Sequence, residues 1–224
     1  MEDYQKNFID LAIEKKALSF GEYELKSGRV SPYFFNTGTF NDGESLAKLG
    51  RFFAEAIRYS NIKFDMLYGP AYKGIPLASA ISITFHEIFN CNYPFCFNRK
   101  EIKDHGEGGI TFGAKIKNRI MIIDDVISAG TSIKDSVDII ESEGGTVAGA
   151  IVAVNRQERG EGELSAIQEA QNRYGIKIMS IVNLDDIISY ISGSQVNILP
   201  FYNFIWPRKN LFDLTIVYPI SWGN

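Results

Sequence analysis

"RIMIIDDVISAGTS", Arg119–Ser132, is the stretch on which the fold turns. Four apolar residues, Ile120 to Ile123, run straight into Asp124 and Asp125, and small residues follow as far as Ser132. An apolar run of this kind, ended by small residues ahead of a helix, reads as a strand buried on both faces, as in a parallel sheet. A single carboxylate near a helix start is explained by capping, because free amides and the helix dipole favour negative charge there. Capping does not explain two in succession, followed by Ala129 and Gly130, which leave the backbone bare, and by the hydroxyls of Thr131 and Ser132. Successive amides at a helix N-terminus cradle phosphate, while adjacent carboxylates accept hydrogen bonds from sugar hydroxyls or face a hydrated Mg²⁺. A phosphorylated sugar meets both requirements at once.

Outward from this stretch, apolar strands alternate with helical patterns: "FDMLYG", "PFCFNRK", "VAGAIVAVN" and "KIMSIV", with helices after "KGIP", through Ile139 and near "SAIQEAQNRYG". This order predicts an α/β fold, a central and mainly parallel sheet flanked by helices and joined by right-handed crossovers. Ligands collect beyond the carboxyl ends of such strands, where Asp124 and Asp125 fall. Upstream, Leu46, Leu49, Phe53, Ala56 and Ile57 form a helical stripe between Glu44 and Tyr59, and Tyr4, Phe8, Leu11 and Ala12 form another at the N-terminus. Between these helices "FGEYELKSGRVSPYFFNTG" reads as short strands and turns, a small hood over about residues 20–40.

The chain has 224 residues and a formal charge of −4, enough for one large α/β domain but without the basic field that collects nucleic acid. The N-terminal helix is amphipathic and not a secretory signal. The uncharged run from Ile187 to Pro207 carries too many polar residues and prolines for a membrane span, so a cytoplasmic protein is expected. Cys91 and Cys96 lack the spacing of a disulfide framework or a zinc site and read as reduced, structural residues.

Four further clusters fall in or near the expected cleft. "NRKEIKDHGEGG" gathers Arg99, Lys100, Lys103 and His105 beside glycines, the parts of a cationic lid for a polyanion. In "YGPAYKGIP", Gly69 and Gly74 bracket a tight turn from which Lys73 projects as a second diphosphate contact. "KSGRVSPYFFN" offers Lys26 with Phe34 and Phe35; consecutive strand residues face opposite sides, so one ring of the pair belongs to the core. Arg156, in "NRQERG", suits a carboxylate held in bidentate fashion.

"IMIIDDVISAGTS" resembles the phosphoribosyl pyrophosphate (PRPP) motif of the type I phosphoribosyltransferases. With "ELKSGRVSPYFFNTG", "YGPAYKGIPLA", "FNRKEIKDHGEGG" and "NRQERGEGELSAIQE" the chain looks like the orotate-using branch of that family. The resemblance spans about Tyr4 to Ile191. It implies the type I phosphoribosyltransferase fold and transfer of ribose 5-phosphate from PRPP to N1 of orotate, with Mg²⁺, in pyrimidine biosynthesis. It also implies a homodimer in which the lid serves the neighbouring site. Lys103, His105, Asp124 and Asp125 would be catalytic. PRPP would be held by Lys26, Tyr72, Lys73, Arg99, Lys100, Lys103, His105, Asp124 and Asp125, and by the segment Val126, Ile127, Ser128, Ala129, Gly130, Thr131 and Ser132. Orotate would meet Phe34, Phe35, Ser128 and Arg156; Ser128 stands where the family has threonine. Mg²⁺ would come with the substrate, with Asp124 and Asp125 facing it through water.

The expected organisation is a phosphoribosyltransferase domain over residues 1–191 and an atypical, aromatic-rich tail over 192–224, where the family has a charged helix. The tail reads either as the product of a shifted reading frame or as a segment packed on its own dimer. Two other functions share the PRPP motif. A purine-base phosphoribosyltransferase should lack the set of Phe34, Phe35 and Arg156, and a non-catalytic PRPP-sensing regulator would have no need of the cationic lid.

Overall fold

The computed structural model describes residues 1–24, 30–103, 109–127, 131–160 and 162–193, the side chains of Pro32, Ile102, Lys103 and Thr131 excepted. The chain opens with α1 (Asp3–Glu14), which buries Phe8, Ile9, Leu11 and Ala12 on the face its spacing predicts. An antiparallel ribbon follows, β1 (Leu18–Glu24) with β2 (Val30–Phe35), in the segment read as a hood. A 3-10 turn at Thr37–Thr39 returns the chain to the main body. The remaining order is α2 (Gly43–Tyr59), β3 (Met66–Tyr68), α3 (Gly74–Phe89), β4 (Phe95–Lys103), β5 (Gly109–Gly113), β6 (Arg119–Val126), α4 (Thr131–Ser142), β7 (Thr146–Asn155), α5 (Ala166–Tyr174), β8 (Ile178–Asn183) and α6 (Leu184–Gly193).

The main sheet has six strands in the order β5-β4-β3-β6-β7-β8. All neighbours are parallel except β4 and β5. From β3 the chain winds outward to β4 on one side, and from β6 it winds outward through β7 and β8 on the other. The direction of winding therefore reverses between β3 and β6, and a crevice opens beyond the carboxyl ends of these two strands. "GPAYKG" leaves β3 at that crevice, and Asp124 and Asp125 end β6 there.

The pleat of β6 divides its apolar run between two cores. Met121 and Ile123 pack with α1, α2, α3, α6 and the hood, whereas Ile120 and Ile122 pack with α4 and α5. Full burial of each such side chain contributes about 1.5–3 kcal/mol, so β6 is anchored from both faces. One difference from the sequence expectation concerns the glycine-rich lid. β4 runs past the expected "PFCFNRK" through Lys103, which pairs with Gly109 of the antiparallel edge strand β5. The Gly-to-Gly segment "GITFG" holds Ile110, Thr111 and Phe112, residue types that favour strand, between glycines that mask the signal.

Cys91 and Cys96 are free thiols, and burial pushes Cys96 up to about 12, which makes it an inert core residue. Among the described residues no helix is long and apolar enough to cross a membrane. The tail from residue 194 lies outside the described residues.

The β3–α3 turn depends on two glycines lying backbone to backbone. A Cβ on Gly69 would stand 2.1 Å from the Gly74 carbonyl oxygen, and one on Gly74 would stand 2.7 Å from the carbonyl oxygen of Ile123. Neither obstacle is a flexible side chain. Gly69→Ala is therefore expected to cost at least about 1–3 kcal/mol of stability and to displace the turn, measurable as a lowered unfolding midpoint together with lost turnover.

Candidate active site

Asp124 and Asp125 are adjacent in sequence yet face different neighbours, since successive strand residues alternate sides. Both are buried, at 7% and 4% exposure. Asp125 Oδ2 accepts a hydrogen bond from Thr37 Oγ1 at 2.8 Å and an ion-paired one from Lys73 Nζ at 2.5 Å. Asp124 lies on the side of α4, where its Oδ1 accepts from the Asp125 amide at 2.8 Å and its carboxyl is bonded by the Ser132 side chain. Burial and then the neighbouring Asp125 charge push Asp124 up to about 6, against the opposing effect of these two donors.

The loop after β3 brings Lys73 and Tyr72 to the same edge. Lys73 starts α3 and is half exposed even while it reaches Asp125. Asn98 of β4 holds this loop, accepting the Ala71 amide on Oδ1 at 2.8 Å, and the peptide that follows, Ala71–Tyr72, is cis. Lys100 Nζ lies 5.1 Å from the centre of the exposed Tyr72 ring. Tyr72, Asn98, Arg99 and Lys100 line one open cleft. Arg99, however, turns its guanidinium onto its own hairpin: Nη1 donates to the carbonyls of Gly109 at 3.2 Å and Thr111 at 3.3 Å, and the group lies over the Phe112 ring.

On the hood, Phe35 is buried against Phe8, while Phe34 is 40% exposed and stacks on Tyr23. The expected division of this pair is thus present, with Phe35 in the core. Its side chain cannot meet a ligand in this arrangement, and only its backbone can. Ser31 and Tyr33 alternate with Phe34 and point inward, and there they meet Arg156: its Nη2 lies 3.5 Å from Ser31 Oγ and its guanidinium 5.1 Å from the centre of the Tyr33 ring. The Phe34 ring and Arg156 therefore lie on opposite faces of β2 and are not brought together. Arg156 is not the surface ion-pair partner common on such loops: it is buried with Glu158, Nη2 to Oε1 being 2.7 Å.

Val126 is half-buried and Ile127 belongs to the core on the α4 side, so both can serve a phosphate only through their amides. Lys26, His105, Ser128, Ala129 and Gly130 lie outside the described residues, as do the side chains of Lys103 and Thr131. Thr37, Asn98, Tyr33 and Glu158 belong to the site but were not singled out by sequence. Thr37, Asn98 and Tyr33 act through contacts between segments distant in the chain. Glu158 alone had a local signal, its spacing of two from Arg156.

The crevice at the winding reversal, closed on one side by paired buried carboxylates and on the other by lysines, is the arrangement of a phosphoribosyl-transferring site. Residues 37–170 match the phosphoribosyl transferase domain, and the chain belongs to that family. It is 56% identical to the orotate phosphoribosyltransferase of Nitrosospira multiformis over 224 residues, 100% of this chain and 97% of that protein. It is 54% identical to the Aeromonas salmonicida protein of the same name over 195 residues, 87% of this chain and 90% of the relative. The alignment with the first of these includes the tail, which a private frame-shifted end would not do. A crystal structure of orotate phosphoribosyltransferase from Francisella tularensis superimposes with a TM-score of 0.77 at 38% identity, covering 84% of this chain and 91% of that one. An adenine phosphoribosyltransferase from Thermoanaerobacter pseudethanolicus, 16% identical with a TM-score of 0.52, shares the fold alone.

The raised pKa of Asp124 carries a stability consequence. The folded state holds this proton more tightly than the unfolded chain, whose aspartates titrate near about 3.9. Stability is therefore lost as pH rises from about 4 through about 6, and the full penalty, roughly 2–3 kcal/mol, stands at neutral pH. Asp124→Asn, which keeps the Oδ1 acceptor, should be more stable than the parent near neutral pH and equal to it below about pH 4 in denaturant titrations. A constant difference across that range would contradict the assigned cause.

Proposed function

We propose that this protein transfers ribose 5-phosphate from PRPP to N1 of orotate, forming orotidine 5′-monophosphate and pyrophosphate in UMP biosynthesis. The observation that supports this most directly is the split pair at the end of β6. Asp125 takes Thr37 and Lys73 on Oδ2, which leaves its other oxygen for a ribose hydroxyl. Asp124 serves the other hydroxyl from the α4 side, and the amides that run from Val126 into α4 receive the 5-phosphate. Relatives at 54–56% identity that carry the orotate name support the choice of base.

The chemistry follows from charge. Cleavage of the bond between C1 of the ribose and the pyrophosphate builds an oxocarbenium-like centre and a highly anionic leaving group. Lys73, Tyr72 and Lys100 stand on the side where that anion leaves, and Lys103 and His105 close over it from the neighbouring subunit of a homodimer. Arg99 adds positive charge on the same side once it releases the carbonyls of its own hairpin, and Lys26, outside the described residues, is assigned to the same anion by the family resemblance. The donor set fits Mg²⁺ carried by the substrate, since two adjacent carboxylates plus substrate phosphates are its common partners. Bound in that way, Mg²⁺ supplies neutralisation of the diphosphate. Closure excludes water, whose attack on C1 would waste the donor.

Orotate meets the hood. Its carboxylate pairs with Arg156, and Ser128, outside the described residues, is assigned to the same ligand by the family resemblance. β2 has β1 as its single described partner, so its second edge presents backbone donors and acceptors at Phe34 and Phe35 that suit the alternating N–H and C=O groups of a pyrimidine. The cytoplasm is the compartment in which these substrates would be met, and the phosphoribosyltransferase domain extends to about residue 191.

Protein mixed with PRPP, Mg²⁺ and orotate should remove orotate absorbance in a PRPP-dependent manner, whereas a purine base should not be consumed. Consumption of the purine instead, or binding of PRPP with no turnover, would replace this assignment by one of its two rivals. Lys103→Ala should lower kcat on the order of a hundredfold, the size of one lost transition-state donor. Near-normal turnover would refute the lid role.

A further inference from the structure

The corner after β7 contains a buried carboxylate, Glu158, that neither the fold nor the reaction as described above requires. Arg156 and Glu158 are each only 9% exposed in their side chains and pair at 2.7 Å. A single bond to a carboxylate is incomplete compensation for a guanidinium with five donors. Arg156 Nε is buried with no hydrogen-bond partner, and the Tyr33 hydroxyl close to it is in the same condition. Burial pushes Tyr33 up to about 12, against the lowering effect of the neighbouring Arg156 guanidinium. Buried orphan donors are rare in folded proteins because each forfeits its water without replacement. Two in one place, under the hood and beside the sheet edge that carries the reaction, point to a polar partner that the protein itself does not supply.

The corner itself is rigid. Gln157 sits between the two charged residues with a φ of +52°, and it is clamped from three directions. Its amide donates to Asn155 Oδ1 at 2.9 Å, its Nε2 donates to Asp185 Oδ2 at 2.9 Å, and its Oε1 accepts the Asp185 amide at 3.0 Å. The Glu158 carbonyl accepts the Ala166 amide at 3.0 Å, which ties the corner to the start of α5. The backbone thus presents residues 156 and 158 as a fixed pair. The ion pair with Glu158 is made at Nη2, which also donates to Ser31 Oγ, and the buried Nε–H has no partner and can take a second carboxylate.

We propose that Glu158 is a positioning residue: it holds Arg156 by Nη2 so that the orphaned Nε is aimed at the carboxylate of orotate, and with Tyr33 it sets the preference for a carboxylated pyrimidine. This rests on Arg156 being the partner of orotate. The role is geometric rather than electrostatic. An acceptor at the Glu158 position is what Arg156 needs, whereas the negative charge of Glu158 works against a second carboxylate arriving on the same guanidinium.

The test uses the full-length protein in steady-state assays with both substrates varied. Glu158→Ala should raise KM for orotate about 10- to 100-fold, the worth of one charge-assisted hydrogen bond, with KM for PRPP and kcat much less affected. Glu158→Gln, whose amide oxygen still accepts from Nη2, should restore most of the orotate affinity. Unfolding midpoints and the PRPP constants of both variants report whether the fold is retained. Arg156→Ala serves as the reference. If it leaves KM for orotate unchanged, the assignment of Arg156 to orotate fails. If it raises KM while Glu158→Ala does not, or if Glu158→Gln is as impaired as Glu158→Ala, the positioning role is overturned and the assignment of Arg156 stands.

Discussion

One carboxylate oxygen, Asp125 Oδ2, joins three parts of the chain. It accepts Thr37 from the foot of the hood and Lys73 from the β3–α3 turn, while its own backbone continues β6. Buried at 4% exposure, such a charge is tolerable only when paired and hydrogen-bonded. The converse is that the hood and the turn are held in register by the need to satisfy it. The winding reversal of the sheet supplies the crevice, but the tie at Oδ2 decides which loops face each other across it.

Much of this was legible along the chain. The apolar run from Ile120 to Ile123 identified a strand buried on both faces, and the paired aspartates gave it an address at the carboxyl edge. The adjacency of Phe34 and Phe35 required one ring in the core, and Phe35 is the one buried. What escaped sequence reading depends on distance in the chain. Thr37 and Asp125 are 88 positions apart, as are Asn98 and Ala71 by 27, and no local pattern announces either contact. The inward turn of Arg99 onto the Gly109 and Thr111 carbonyls was hidden for a different reason. The short strand β5 lies between two glycines and was not singled out by sequence, although its Ile110, Thr111 and Phe112 favour a strand.

The site gathers four ionic side chains into two pairs, and each pair solves the problem of burial differently. Asp125 is neutralised by a lysine whose stem remains in solvent, an arrangement that can be given up when a polyanion arrives. Arg156 is neutralised by a glutamate as buried as itself, within a backbone corner that cannot yield, so this pair persists. Asp124 belongs to neither pair and answers by holding its proton more tightly. Under the proposed function the exchangeable partners would face the sugar and its diphosphate and the fixed one the base, which matches a chemistry in which the phosphates leave and the planar ring must be held at one angle.

The strand at the far end of the sheet has its own requirement. Among the described residues β8 pairs with β7 alone, and an unshared row of carbonyls and amides invites another chain to dock alongside. Gln5, in the first turn of α1, donates its side-chain amide to the Ile181 carbonyl at 2.8 Å, and Tyr190 of α6 bonds Asp10 of the same helix. The opening helix is therefore a guard as much as a piece of core. Loosening it would leave the chemistry at the opposite strand ends intact in principle, while the uncovered border would invite further copies to add edge to edge.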